Sequence, residues 1–196
     1  MLITNEFEVS APVEKVWRFF DNIPQVASCL PGAELTKDLG DDKYEGRVAI
    51  RMGPVRLQFN GTADITERDN DARRIVVHAA GADEAGRGQA AMTVTARLTR
   101  SGANGTKVGV TQDLQISGAA AQYGRGMISD VSSVLMRDFA VNLQDGITRL
   151  DRGEQVRAGA PGTAEAGGLA IGLRAAFMAL RRVFRRFFAP YQPAAS

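Results

Sequence analysis

The stretch 43–65, KYEGRVAIRMGPVRLQFNGTADI, alternates between apolar and polar side chains on both sides of Gly53 and Pro54. A period of two residues places the apolar side chains of a strand on one face, so each run predicts a strand with one buried and one solvated face. The Gly-Pro pair predicts a turn between the two runs. Strands joined by so short a link are antiparallel neighbours in a sheet.

The same alternation recurs on both sides of this hairpin. It predicts further strands over residues 2–9, 73–80, 88–100 and 107–117. Because the links between most of them are short, the predicted sheet is an antiparallel meander.

A helical period replaces the alternation after Gly118 and continues to about Leu150. Apolar and small residues between Ala120 and Phe139 then fall within one arc of about 140° around the helix axis. About 30 residues at about 1.5 Å each make a helix of roughly 45 Å, which a single sheet covers only by curving around it. We therefore predict an α+β fold for a domain spanning residues 1–150, in which a curved antiparallel sheet wraps around a long C-terminal helix.

The composition changes beyond this domain. Residues 151–167 are rich in Gly, Ala and Glu without an apolar period, which is typical of a flexible linker. Residues 168–189 regain a helical period, and two prolines in the tail 190–196 end the helix.

Charge is segregated between these parts. The whole chain carries a net charge of +2, but residues 151–196 hold seven arginines against three acidic residues, so the domain before them is slightly acidic. In the terminal helix the arginines lie opposite the phenylalanines and leucines, a pattern typical of a helix that binds the surface of an anionic membrane. The predicted membrane-binding residues are Leu173, Arg174, Phe177, Leu180, Arg181, Arg182, Phe184, Arg185, Arg186, Phe187 and Phe188.

The terminal helix leaves two other interpretations open, docking to a partner protein and packing against the domain. It is too short and too often interrupted by arginine to span a bilayer. Arginines backed by phenylalanines suit lipid better than a nucleic-acid groove, so no nucleic-acid partner is predicted.

Few residues carry the patterns of catalysis or metal binding. His78 is the only histidine and Cys29 the only cysteine, which excludes intramolecular disulfides, cysteine clusters and two-histidine mechanisms. Asp138 falls within the apolar arc of the long helix and is expected to find a partner or a polar part of a cavity. We predict no catalytic residue, no metal and no covalent cofactor; an enzyme would depend on Asp138 or Tyr123. The start of the chain lacks the pattern of a signal peptide, which favours the cytoplasm.

Inner-face residues of the predicted sheet and helices define a candidate ligand cavity. A sheet curved around a helix can enclose an apolar pocket, and flexible methionines adapt to irregular ligands. The predicted lining residues are Phe20, Leu30, Ile50, Met52, Leu57, Phe59, Met92, Val94, Leu114, Met127, Ile128, Val131 and Leu135. The pattern alone does not distinguish a cavity from a filled core.

Several short motifs spread over residues 1–150 form a set. They are APVEKVW (11–17), CLPGA (29–33), YEGRV (44–48), MGPV (52–55), FNGTA (59–63), GRGQA (86–90) and the Gly- and Ala-rich start of the long helix. As an ensemble they resemble the G-subunit family of carbon monoxide dehydrogenase. The order strand, two short helices, strand meander and long helix likewise resembles the helix-grip fold of the START-like (SRPBCC) superfamily.

The resemblance implies an apolar cavity between sheet and helix and an association with molybdenum-containing hydroxylases of the carbon monoxide dehydrogenase type. It also implies that members with a C-terminal amphipathic helix lie at the cytoplasmic face of the membrane. We expect a non-catalytic peripheral protein on the inner face of the cell membrane. It would hold a hydrophobic small molecule, a respiratory quinone such as menaquinone or ubiquinone, and link a molybdenum-containing dehydrogenase to the electron-transport chain.

Two alternatives remain at this point. One is a membrane-tethered assembly or recruitment factor for the molybdenum enzyme, with no ligand-carrier role. The other is an enzyme such as a cyclase of the same superfamily.

Overall fold

Seven strands form one antiparallel sheet in the computed structural model, which describes residues 1–52 and 55–154. The strands are β1 (Leu2–Val9), β2 (Ala33–Gly40), β3 (Lys43–Met52), β4 (Val55–Asp69), β5 (Arg74–Asp83), β6 (Gly88–Ser101) and β7 (Gly105–Gly118). Their order is β1-β7-β6-β5-β4-β3-β2, so the chain runs as a meander from β2 to β7 and β1 pairs with β7 at the far edge.

Helices precede and follow the meander. Two short ones, α1 (Val13–Phe20) and α2 (Ile23–Cys29), connect β1 to β2, and the long helix α3 (Gly124–Asp151) follows β7 after a 3-10 turn. The predicted α+β fold with its long C-terminal helix is confirmed.

The long helix begins later than its sequence pattern predicted. Gly118 and Gly124, which flank the 3-10 turn, have φ angles of 72° and 75°, a backbone conformation that the interior of a right-handed α-helix cannot contain. The residues between them form the 3-10 turn Ala119–Tyr123 instead. Two glycines therefore set the direction in which α3 leaves the sheet.

The edge strand β2 was not predicted, because most of its residues are exposed and it shows no sustained apolar alternation. Leu39, for example, is 42% exposed. An edge strand has a neighbour on one side only, so cross-strand pairing with β3 rather than apolar patterning defines it.

A row of glycines bends the sheet. Gly46, Gly61 and Gly81 are paired across β3, β4 and β5. A Cβ atom placed on Gly61 would lie 2.0 Å from the carbonyl oxygen of Ala80, so the strands approach there more closely than other residues allow. Glycines at such positions let a sheet curve around a helix.

Two groups of buried side chains close the two ends of the space between the sheet and the helices. The helix-side core comprises Val9, Ala11, Val13, Val16, Trp17, Phe19, Phe20, Cys29, Ile75, Ala96, Leu98, Val108, Val110, Phe139, Leu143 and Ile147. The distal core comprises Ile3, Leu57, Phe59, Ala120 and Ile128. α3 contributes to both, through its C-terminal half to the first and its N-terminal half to the second.

The buried face of α3 differs from the predicted arc. Its buried residues are Ile128, Ser132, Phe139, Leu143, Gly146 and Ile147. Met127 and Val134, which the periodicity placed toward one edge of the predicted arc, are 43% and 49% exposed, and Asp138 is exposed as well. The apolar residues of α3 extend around more of the helix than the sheet covers, so the arc defined by hydrophobicity was rotated away from the true contact face.

Candidate ligand-binding site

Two rows of inner-face side chains lie between the two cores. Cross-strand pairing aligns Ile65, Val77, Val94 and Gln112 in one row, and Ala63, Ala79, Met92 and Leu114 in the next. We call these two rows the central rows. Apart from Gln112, which is buried, their side chains are only half-buried. These inner-face side chains are therefore less enclosed than the residues of the two cores.

α3 packs most extensively against β1 and α2, and to a lesser extent against β3. β1 and β3 lie toward opposite margins of the sheet. The α3 residues Val131 and Leu135, which are half-buried, lie between the parts of α3 that enter the two cores.

Small residues are concentrated in the middle of the inner face. Ala63 and Ala79 belong to the central rows, and the next inner row contains Gly61, Gly81 and Ala90. These side chains fill less volume than the leucines and phenylalanines of the two cores. The central rows thus form an apolar surface of short side chains.

A chain of polar groups lies at the boundary between the central rows and the helix-side core. The Nδ2 atom of Asn5 donates to Oγ of Ser132 at 3.4 Å, and that hydroxyl donates to Oε1 of Gln112 at 3.1 Å. Gln112 and Ser132 are 9% and 8% exposed. This chain joins β1, β7 and α3, and the sequence pattern did not predict it.

The predicted lining residues divide into three sets. Phe20, Leu57, Phe59 and Ile128 are fully buried members of the two cores. Seven are half-buried: Leu30, Ile50, Val94, Leu114 and Val131 pack against one or other core, whereas Met92 and Leu135 belong to neither. Met127 lies on the exposed side of α3, and the side chain of Met52 is outside the described residues.

The residues considered for chemistry do not converge. Tyr123 precedes α3 and packs against the distal core, whereas Asp138 is exposed four turns along the helix, about 22 Å away at 1.5 Å per residue. Cys29 is buried at the end of α2, and burial raises the pKa of its thiol to about 11, which disfavours the reactive thiolate. Among the described residues, no group of three or more His, Cys, Asp or Glu side chains is arranged to hold a metal ion.

The outer face of the sheet carries His78 and two depressions. Nδ1 of His78 lies 3.0 Å from Oγ1 of Thr93 on the neighbouring strand. The depressions, of about 260 and 520 Å³, are lined mainly by small and uncharged polar residues of β5, β6 and β7 and share Ala80, Ala91 and Gln115. They lie opposite the central rows, on the convex side of the bend.

A buried carboxylate closes the loop between β5 and β6. Asp83 accepts hydrogen bonds from Nε and Nη2 of Arg87 at 2.8 and 2.9 Å, and from the backbone N–H groups of Gln58, Ala85 and Arg87. The Arg87 side chain and these N–H groups hold the pKa of Asp83 well below its usual range. The sequence analysis did not identify this pair; the i,i+4 spacing of Asp83 and Arg87 around a turn was the available signal.

The predicted membrane-binding residues, 173–188, lie outside the described residues. Within the described part, no helix combines the length and the apolar character needed to cross a bilayer.

Comparison with known sequences identifies one family. Residues 6–148, well over half of the chain, match the CoxG family, the G-subunit of carbon monoxide dehydrogenase. No curated protein sequence matches the chain.

Solved structures share the fold. A conserved protein from Geobacillus kaustophilus is 21% identical and aligns with a TM-score of 0.69 over 76% of this chain and 96% of its own. The Zhui aromatase/cyclase from Streptomyces sp. R1128 is 16% identical, with a TM-score of 0.57 over 78% and 96%. A START superfamily protein from Mycobacterium smegmatis is 13% identical, with a TM-score of 0.51 over 76% and 98%. The fold is therefore the helix-grip architecture, and it does not by itself decide between binding and catalysis.

Proposed function

The chain belongs to the CoxG family of carbon monoxide dehydrogenase, and from this premise we propose that its domain holds a respiratory quinone between the central rows and α3. Membership of the family indicates a ligand-binding role associated with carbon monoxide dehydrogenase. In our proposal the protein is not an enzyme, and it connects a molybdenum-containing hydroxylase of that type to the electron-transport chain of the membrane.

The half-buried central rows are the observation that supports a ligand. Met92 and Leu135 belong to neither core, although both lie on the inner side of the domain. Apolar side chains left partly exposed inside a fold gain free energy when an apolar molecule covers them, about 25 cal/mol for each Å² removed from water. An elongated hydrophobic ligand satisfies this requirement.

A quinone fits the biological setting of the family. Its isoprenoid tail is insoluble in water, so an enzyme outside the bilayer that delivers electrons to quinone needs a carrier or a docking protein. The basic amphipathic helix predicted from the sequence at 168–189 supplies the second half of the proposal. It would hold the protein reversibly at the anionic inner surface of the cell membrane, where the quinone resides.

Extraction of the purified full chain tests the ligand. Organic extraction followed by mass spectrometry, together with native mass spectrometry of the intact protein, is expected to detect menaquinone or ubiquinone in a stoichiometric complex. A protein that contains no extractable lipid and takes up no added quinone contradicts the carrier role.

Liposome co-sedimentation tests the membrane helix. The full chain is expected to pellet with vesicles containing anionic lipid, and a chain truncated at about residue 160 is expected to remain in the supernatant. A replacement of the five helix arginines by glutamine serves as the charge control. Equal pelleting of the full and truncated chains contradicts the proposal.

A recruitment or assembly factor is the second candidate, and the outer face of the sheet favours it. The two depressions on β5, β6 and β7 present mainly small and uncharged residues over a continuous surface, to which another protein could bind. Deletion of the protein separates the two functions. Loss of hydroxylase activity with artificial electron acceptors indicates failed assembly, whereas an active enzyme uncoupled from respiration indicates a carrier.

A further inference from the structure

Gln112 is a buried amide whose donors are free. Its Oε1 accepts from Ser132, but its Nε2 donates to no atom of the residues that the structure describes. Nε2 is not among the fully enclosed polar atoms, so it borders accessible space and water can satisfy it there. An acceptor oxygen of a ligand can replace that water.

The polar chain dictates which atoms of Gln112 are free. Asn5 donates to Ser132, and Ser132 uses its single proton on Oε1 of Gln112. All three residues are thereby oriented, and the chain ends in the two N–H groups of Gln112. The arrangement presents hydrogen-bond donors and needs an acceptor.

The free space beside Gln112 lies on one side only. The inner row next to it on the side of the helix-side core contains Val110, Ala96 and Ile75, all buried. The row on its other side contains Met92 and Ala79, which are half-buried. A molecule that reaches Nε2 must therefore lie over the central rows.

The surroundings also restrict the charge of that molecule. Every residue of the central rows is uncharged, and no cation stands among them to compensate a carboxylate. Burial of an unpaired carboxylate is far more costly than burial of a carbonyl group. A neutral acceptor oxygen on an apolar body is the chemistry that matches both the donors and the lining.

We infer that Gln112, oriented by Ser132 and Asn5, is the specificity-determining residue of the cavity and donates a hydrogen bond to a carbonyl oxygen of a neutral apolar ligand. The inference rests on the proposed function, because it concerns the same cavity. It adds that the carbonyl-bearing end of the ligand lies at the closed, helix-side end and the remainder extends over the alanines and glycines in the middle of the inner face. Fatty acids and plain hydrocarbons are selected against.

A pair of probes that differ only in carbonyl oxygens tests the inference. Binding of 2-methyl-1,4-naphthoquinone and of 2-methylnaphthalene to the full chain is measured by isothermal titration calorimetry, for wild type and for Gln112→Leu. The variant is expected to bind the quinone about tenfold more weakly, the effect of one lost hydrogen bond, and to bind the hydrocarbon within about twofold of wild type. Gln115→Leu on the exposed outer face of the same strand is the matched control and should change neither affinity.

A second measurement needs no variant. In 15N-labelled wild type, the side-chain amide signals of Gln112 are expected to shift on addition of the quinone and to stay in place on addition of the hydrocarbon. This keeps the inference testable if Gln112→Leu does not fold.

The outcomes separate the inference from the proposed function. If wild type binds both probes and Gln112→Leu weakens both equally, or if the amide signals do not distinguish the probes, the specificity role is wrong and the cavity stands. If wild type binds neither probe, the cavity itself is wrong and the inference fails with it. A selective loss of quinone affinity supports both.

Discussion

The helix-side core and the central rows occupy the same inner face of the sheet, yet they are packed to different degrees. Ala96 and Ala79 illustrate the contrast, because both are inner-face alanines on adjacent strands. Ala96 is 6% exposed and surrounded by the helix-side core, whereas Ala79 is half-buried in the central rows. The difference indicates that the helix-side core supplies stability, whereas the central rows remain accessible to a ligand.

Removing side-chain volume from the helix-side core should have the largest effect on the free energy of unfolding. Leu143 is 0% exposed, so Leu143→Ala is expected to lower the free energy of unfolding by about 2–5 kcal/mol. Leu150→Ala, one heptad further along α3 at a residue that is 40% exposed, is the matched control and should cost far less. Urea denaturation followed by circular dichroism measures both, and equal losses would show that the helix-side core is not the stabilising end.

Adding volume tests the contrast most directly. Ala96→Leu inserts three carbon atoms into a filled core and is expected to destabilise the protein by about 1–3 kcal/mol. Ala79→Leu places the same atoms in the space above the central rows and should cost less than about 1 kcal/mol while reducing quinone binding. Denaturation midpoints measure the stability of both variants, and ligand titration measures their quinone binding. Similar destabilisation by the two variants would mean that the volume above the central rows is already filled.

Gly146 marks where α3 packs closest to α1. A Cβ atom at this position would lie 2.9 Å from Cζ of Phe19, which is itself buried, so Gly146→Ala is expected to cost about 1–2 kcal/mol. At Gly126 in the same helix a Cβ atom meets nothing within 4 Å, and Gly126→Ala should stabilise the protein by about 0.5–1 kcal/mol. Thermal unfolding shows whether each variant is more or less stable than wild type. If Gly146→Ala leaves the stability unchanged, the contact between α3 and Phe19 is looser than the structure has it.

Asp83, at the distal end, contributes to stability in a way that depends on pH. Because its pKa is lowered in the folded state, its contribution to stability is complete above the unfolded value of about 4 and is lost as the pH falls below it. The stability difference between wild type and Asp83→Asn is therefore expected to be constant from pH 7 to about 5 and to shrink in more acidic solution. Urea midpoints at several pH values measure it, and a difference that stays constant down to about pH 2.5 would contradict the role assigned to Arg87.

Much of the fold was predictable because alternation and helical period are local properties. The strands around Gly53 and Pro54 and the long helix followed directly from them. The edge strand β2 was missed because its pairing with β3, not its own pattern, defines it. The start of α3 was misplaced because the positive φ angles of Gly118 and Gly124 are invisible to hydrophobicity.

The candidate site was predictable only as a set of inner-face residues. Met92, Val94 and Leu114 were identified from alternation and are half-buried, whereas Leu57 and Phe59, with the same pattern, are buried in the distal core. Burial depends on how closely α3 approaches each strand, which is a distance between segments far apart in the chain. Gln112 and Ser132 were overlooked because neither residue type suggests a site until the sheet brings them together.

The sequence by itself determined the antiparallel meander, the long helix, the family and the separation of a slightly acidic domain from a basic C-terminal segment, since each depends on composition or on spacing along the chain. Tertiary structure alone decided which inner residues are packed and which are half-buried, because curvature of the sheet at Gly46, Gly61 and Gly81 and the placement of α3 set those distances. It also decided that the free amide of Gln112 borders accessible space, because the orientation requires Asn5 and Ser132 from two other elements.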